Sequence, residues 1–273
     1  MHLGAHVSIA GGFDKCLDRA VGLGANCLMT FASSPRSLSH KNFDLAQIKN
    51  YLVKKKLLEI GPHFFHAVYL VNLATGNKDS LRASTNSLIF YQRLAGEIGA
   101  VGTIFHIGSH KGQGLANCID QIVQAVNFIL DSSPKGTKLI LENAAGQGGT
   151  IGENLQDLAQ IIARVGDKPK ISVCLDTQHA FAAGYNLDTI LDKFDHTIGL
   201  KYLSVIHLND SKTDFGSHVD RHANLGDGKI GLGPLKKFAT DPRLKTIPLI
   251  LEVPGSGSGP RKTDIDTLKS LVE

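Results

Sequence analysis

Short apolar or β-branched runs recur along the chain, each followed by a longer stretch whose apolar residues fall three and four positions apart. Runs of that length read as strands and that spacing as one face of a helix, so the alternation predicts repeated βα units. Eight runs qualify as strands: Leu3–Val7, Asn26–Phe31, Gly61–Phe65, Gly102–His106, Lys138–Glu142, Ile171–Asp176, Tyr202–Leu208 and Ile247–Glu252. Between and after them the spacing predicts helices over Asp44–Lys56, Ser80–Glu97, Cys118–Leu130, Leu155–Val165, Asp188–Phe194 and Asp264–Val272. Spread over 273 residues, eight units take about 34 residues each, enough for a strand, a helix and two short connections. The expected fold class is α/β, a (β/α)8 TIM barrel formed as one domain over residues 1–273. One connection, Asn209–Pro234, is long and rich in Gly, Asp, Lys and His, and a loop of that length inside a barrel is more often functional than idle.

Composition changes this picture only in part. Hydrophobic residues make up 42% and charged residues 20%, which suits a packed domain and excludes a disordered chain. The net charge of +4 tilts long-range attraction toward polyanions without making a dense basic field. Cys16, Cys27, Cys118 and Cys174 are far apart with no C-x-x-C pair, so buried, reduced thiols in a reducing compartment are expected. The start of the chain lacks the basic and apolar regions of a signal peptide, and stretches without charge are broken by Pro, His, Asn, Ser or Gly. These features predict a cytoplasmic protein with no membrane partner.

Candidate chemistry gathers at the strand ends. His66 follows the third strand, His106 ends the fourth, Glu142 the fifth and Asp176 the sixth, with His179 just beyond. His207 lies in the seventh strand, Glu252 ends the eighth, and Asp220 and His222 sit in the long loop. Every strand of a parallel barrel opens at its C-terminal end on the same face, so these residues should converge there. One histidine or one carboxylate alone reads more readily as a hydrogen-bonded structural group. Five histidines and four carboxylates on one concave face need cations, because buried like charges and unpaired donors each cost several kcal/mol, roughly. Nine ligands fit two or three ions plus water, and imidazole with carboxylate suits zinc first, with manganese or iron as substitutes. Three divalent ions against four carboxylates leave a formal +2, which matches a phosphodiester and the negative charge that builds during in-line attack. Asp176-x-x-His179 alone is a weak signal that often caps a turn, whereas His207-Leu208-Asn209-Asp210 followed by Asp220-Arg221-His222 is stronger. The segment Glu142 to Gly148 sets a carboxylate before a small-residue turn that either admits a substrate backbone closely or is simply tight.

Over nearly its whole length the chain resembles endonuclease IV, the apurinic/apyrimidinic endonuclease family. The resemblance runs through Gly4-Ala5-His6-Val7-Ser8, Tyr69-Leu70-Val71-Asn72-Leu73, Glu142 to Gly148, Cys174 to Tyr185, His207-Leu208-Asn209-Asp210, Asp220-Arg221-His222 and Leu251-Glu252. It implies three zinc ions: His66 and His106 on one, Asp176, His207 and Glu252 on a second with Glu142 bridging, and His179, Asp220 and His222 on the third. Glu142 is accordingly the residue to which catalysis is assigned. The resemblance also implies a monomer that acts on duplex DNA containing abasic sites, cutting 5′ of the lesion to leave a 3′-hydroxyl and a 5′-deoxyribose phosphate, and trimming 3′ ends. Arg36 and Tyr69 match the positions that in the family push into the duplex where the damaged nucleotide is flipped out. Otherwise they read as a surface arginine and a capped barrel tyrosine.

This chain departs from the family pattern in having Leu38 where relatives often carry an aromatic residue, no Trp, and Val253-Pro254 after the last glutamate. Those changes touch substrate grip and spare the ligands. Of the remaining histidines His2, His6, His40, His63, His110, His196 and His218, His6 and His110 are candidates to support the ligands from behind, and His196 reads as a surface helix end. Lys54-Lys55-Lys56 reads as a solvated helix face, and Lys212, Arg221 and Lys229 as phosphate contacts. Two rivals remain: a sugar isomerase or epimerase on the same barrel, and a noncatalytic protein that binds damaged DNA. The Asp220/His222 pair, with Arg36 and Tyr69, argues against the first, and the complete ligand set against the second.

Overall fold

The computed structural model describes residues 1–40, 43–257 and 259–273. The order of elements is β1 (Leu3–His6), α1 (Lys15–Leu23), β2 (Cys27–Thr30), α2 (Leu45–Leu57), β3 (His63–His66), α3 (Lys78–Ile98), β4 (Gly102–Phe105), α4 (Ile119–Asp131), β5 (Lys138–Glu142), α5 (Leu155–Arg164) and β6 (Ile171–Asp176). Next come α6 (Thr177–Ala182), α7 (Ile190–Thr197), β7 (Leu203–His207), β8 (Asp210–Ser211), β9 (His222–Ala223), α8 (Leu232–Ala239), β10 (Leu249–Leu251) and α9 (Lys262–Val272). Eight parallel strands close into a barrel in the order β1-β10-β7-β6-β5-β4-β3-β2, and β8 pairs with β9 as a separate antiparallel ribbon. The (β/α)8 reading holds, and every predicted strand lies within two residues of an observed one.

Alternation along the strands sorts side chains between two cores. Cys27, Met29, Phe64, Ile104, Ile140, Cys174, Val205 and Ile250 point into the barrel and fill it, so the interior is packed. Residues one position away, such as Leu28, Phe65, Leu139, Leu141, Val173 and Leu175, face the surrounding helices. The small residue Gly102 lets β4 lie against β5: a Cβ there would sit 1.9 Å from the Lys138 carbonyl oxygen. In β3, the sequence His63-Phe64-Phe65-His66 puts Phe64 and His66 on the inner face and His63 on the outer.

Two expectations change. The long connection contains the β8/β9 ribbon, and α8 begins at Leu232, so the irregular stretch is shorter than Asn209–Pro234. The lysine run is only partly a solvated face, because Lys54 turns back onto α1 and pairs with Asp14 at 2.9 Å and Asp18 at 2.6 Å. Among the described residues no helix is long and apolar enough to cross a membrane.

Candidate metal centre

The C-terminal mouth of the barrel collects all nine predicted donors. His66 and Glu142 are the last residues of β3 and β5, Asp176 and His207 those of β6 and β7, while His106 and Glu252 lie one position beyond β4 and β10. His66, Glu142, Asp176 and His207 are buried. Asp176 also caps α6, its Oδ1 accepting the His179 N–H at 2.9 Å, so one carboxylate both ends a strand and orients the helix that delivers the next donor. Asp220 and His222 come from the ribbon beyond β8, with side chains 45% and 15% exposed.

Donor atoms fall into overlapping groups within 4.8 Å of one another: His66, His106 and Glu142; Glu142, Asp176, His207 and Glu252; His106, His179 and Asp220; and Asp176, His179 and His222. Glu142 sits between the first two, with Oε2 2.9 Å from His66 Nε2 and 3.5 Å from His106 Nε2, and Oε1 2.8 Å from His207 Nδ1. Glu252 Oε2 is 2.9 Å from the same His207 nitrogen. His179 Nε2 lies 3.3 Å from Asp220 Oδ2.

Ring tautomers can be deduced from these contacts. A carbonyl oxygen only accepts, so Nδ1 of His66 donates to Ala67 at 2.7 Å, that of His179 to Asn143 at 3.0 Å, and that of His222 to Glu252 at 3.2 Å. In each ring Nε2 is left facing the cluster, the arrangement that fixes metal-binding imidazoles. A nitrogen lone pair opposite a carboxylate oxygen is repulsive unless a cation lies between them, either a proton or a metal ion. His222 Nε2 makes the point most simply, being buried without a hydrogen-bond partner, 3.6 Å from Asp220 Oδ1 and 3.7 Å from Asp176 Oδ2. The donor set therefore fits divalent cations.

Protonation tells the same story. Burial alone would discharge His179, but Asp176, Asp220 and Glu142 outweigh it and push its pKa up to about 10. His66 is raised, against burial, by its bond to Glu142, and His207 rises well above its usual value against the same penalty, beside Cys174, Glu252 and Glu142. Burial would raise the carboxyls, yet His106, His207 and His66 hold Glu142 well below its range, His207 and His6 do so for Glu252, and His179 and His222 lower Asp220. The carboxylates thus draw positive charge onto His66, His179 and His207, while burial keeps His106 below its ordinary value.

The mouth opens into a cavity of about 520 Å³ walled by His6, Phe31, Tyr69, Asp220, Arg221 and Glu252. A second, of about 630 Å³, shares Tyr69, His106, His179 and Asp220 and extends over Asn72, Ser109 and Gln147. Tyr69 stands between them, 66% exposed with its ring edge-on to Phe31 at 5.5 Å, so it is no capped core tyrosine. Arg36 is exposed in the segment after β2, next to Pro35, which lines the first cavity. Arg221 is exposed at the rim, and Lys229 is drawn toward Asp214 at 3.5 Å. His6 does stand behind a ligand, with Nδ1 3.0 Å from Glu252 Oε1. His110 does not: its Nδ1 accepts the N–H groups of Gly112 and Gly114 at 3.1 and 3.2 Å and so holds its own turn. Gly146 sits at φ +94°, a left-handed conformation that favours glycine, so the turn itself calls for this residue. The sequence reading missed Asn143 and Asn209, whose amides bind Asp176. Asn143 Oδ1 accepts its N–H at 2.6 Å, and Asn209 Nδ2 donates to its Oδ2 at 2.6 Å. Their position, directly after Glu142 and two after His207, was the available signal.

The xylose isomerase-like TIM barrel family matches residues 17–271. The probable endonuclease 4 of Halothermothrix orenii is 42% identical over 93% of this chain and 94% of its own length, and that of Campylobacter concisus 38% identical over 92% of each. The crystal structure of endonuclease IV from Thermus thermophilus superposes with a TM-score of 0.88 at 33% identity, over 99% of this chain and 97% of that one. A D-tagatose 3-epimerase-like protein superposes with a TM-score of 0.77 over 100% and 97% of the chains, but at 19% identity it shares the fold alone. Relatives at 33–42% identity along nearly the full length, one of them a solved structure with the same barrel, place the chain in the endonuclease IV family of apurinic/apyrimidinic endonucleases.

Proposed function

We propose that this protein is a zinc-dependent DNA-repair endonuclease that hydrolyses the phosphodiester on the 5′ side of an abasic site in duplex DNA, leaving a 3′-hydroxyl and a 5′-deoxyribose phosphate. The same centre would trim blocked 3′ ends. The observation that carries the reading is the convergence of nine nitrogen and oxygen donors on one open face, with His222 Nε2 buried and unpartnered among them. His66 and His106 would hold one ion, Asp176, His207 and Glu252 a second with Glu142 bridging the two, and His179, Asp220 and His222 a third. Manganese or iron suits the same ligands. Bound there, such ions would supply a nucleophile from water at neutral pH and offset the charge that builds on phosphorus.

The remaining work falls to the chain's own groups. Glu142 keeps both oxygens in the cluster, and its fully buried carboxylate holds the neighbouring imidazoles in register. Tyr69, at the boundary of two cavities, offers a ring to stack in the gap left by a flipped nucleotide, a step made cheaper by the missing base. Arg36 and Arg221 offer phosphate contacts at the rim. We assign the whole chain, residues 1–273, to one catalytic domain acting as a cytoplasmic monomer. The free, buried state of all four cysteines suits a reducing compartment.

The test is a duplex carrying a single tetrahydrofuran abasic analogue. The purified protein is expected to nick it 5′ of the lesion, to leave an end that a polymerase extends, to spare the undamaged duplex, and to lose activity on chelation. Turnover of an aldose or ketose without nicking would establish an epimerase, and tight binding without nicking a damage-recognition protein.

A further inference from the structure

The segment that presents Asp220 and His222 leaves the barrel after β7 and returns to it at α8, and one buried carboxylate gathers four main-chain N–H groups of its return limb. Asp210, in β8, is fully buried, and its charge is met by main-chain N–H groups. Its Oδ1 accepts from Ser211 at 2.8 Å and Ile230 at 2.9 Å, and its Oδ2 from Gly226 at 3.0 Å and Gly228 at 3.1 Å. The Gly231 N–H is shared, 3.3 Å from each oxygen. Converging amides of this kind form an anion nest, and hydrogen bonds to an ionised acceptor are roughly twice as strong as neutral ones. Gly228 is part of the device, since a Cβ there would fall 2.4 Å from Asp210 Oδ1.

The nest acts on the candidate ligands through the ribbon. Asp210 pairs with Ala223 and Ser211 with His222, so the strand that carries the nest is the strand against which His222 is laid. Asn224, just past β9, exchanges two hydrogen bonds with the main chain of Gly255 at 2.8 and 3.3 Å, and Gln147 Oε1 accepts the Asp220 N–H at 3.1 Å. Within residues 226–231, Asn224 Nδ2 also donates to Asp227 Oδ2 at 3.2 Å and the Lys229 N–H to the Ser211 carbonyl at 2.6 Å, while the Asp210 nest takes the N–H groups of Gly226, Gly228, Ile230 and Gly231 and so spans the limb.

We propose that Asp210 is a positioning residue for the third metal-binding group: by clamping residues 226–231 onto β8 it holds β9, and with it His222 and Asp220, against the barrel mouth. The role rests on the three-ion reading above. Asp210→Asn keeps the shape but replaces an acceptor oxygen with an N–H group set against N–H donors, which opens the nest. Gly228→Ala opens it from the other side.

Both variants are compared with the wild type in two measurements: amide hydrogen exchange on the metal-free proteins, and zinc content with nicking activity on the loaded ones. The expected result is faster exchange confined to residues 220–231, with strands β3 to β7 unchanged. Affinity for one of three ions should fall by about 10–100-fold, the scale of lost support behind a ligand, with activity restored by excess zinc. Unchanged exchange in that segment would overturn the proposal, as would faster exchange spread over the barrel or full retention of three ions despite a loosened segment. A wild type that binds no zinc would instead defeat the three-ion reading, while the exchange measurement would still decide whether Asp210 holds the segment.

Discussion

The candidate site is assembled from two kinds of structure. His66, Glu142, Asp176 and His207 end strands whose neighbours are hydrogen-bonded on both sides, and all four are buried. Asp220 and His222 project from a two-residue strand and the turn before it, far more open to solvent. A strand end needs no further device to stay in place, because the parallel ladder and the packed interior already fix it. A ligand on a loop needs braces of its own, and Asp210, Asn224 and Gln147 supply them here. The difference teaches that the barrel carries the bulk of the site, while the ribbon adds two donors that depend on its own braces.

That contrast can be broken most severely at its shared centre. Glu142→Gln should fold and still lose cleavage by about three orders of magnitude, the scale of removing a group aimed at developing charge. Wild-type nicking by the variant at unchanged metal content would refute the role of Glu142. Asp220→Asn or His222→Asn should cost less, about 100-fold, with one ion lost and two kept, and added zinc should restore much of the rate. Equal loss of all ions from either variant, read by elemental analysis, would erase the distinction between barrel and ribbon.

Smaller effects belong to the rim and the barrel wall. Tyr69→Ala should weaken binding of the abasic duplex by about 1–3 kcal/mol, the worth of one stacked ring, while Arg36→Ala should lower the salt dependence of binding by about one ion. Titrations at several salt concentrations check both. His63, on the outer face of β3, lies between Tyr51 Oη at 2.6 Å and Thr30 Oγ1 at 2.9 Å, and burial holds its pKa well below 6.5. The folded protein keeps this ring neutral while the unfolded chain protonates it near pH 6.5, so unfolding takes up a proton in acid. Its contribution is therefore absent above pH 6.5 and destabilises the fold below it, by at most about 1.4 kcal/mol per pH unit. Urea denaturation of the wild type and His63→Gln across that range should show the shallower acid slope in the variant.

What was legible in the sequence follows the same division. Strand runs with a histidine or carboxylate at the end announce themselves, because strand length, parallel closure and mouth position are linked by geometry, and six of the nine donors lie at or next to the ends of barrel strands. Asp220 and His222 were legible only as a dense pair within a long loop, with family resemblance supplying their role. Asp176-x-x-His179, weak as a motif, proved to be a helix cap and a donor pair together. The braces stayed hidden because all but one of the partners of the Asp210 and Asn209 side chains lie 16 to 43 positions away, which no local pattern encodes. His110 misled for a related reason: closeness to a strand end does not say which way a ring turns.

The most direct test is anomalous diffraction at the zinc edge from crystals grown with zinc. The account predicts three peaks at the barrel mouth, one of them contacted by His179, Asp220 and His222 together. Peaks confined to the strand-end donors, with Asp220 and His222 touching none, would contradict it.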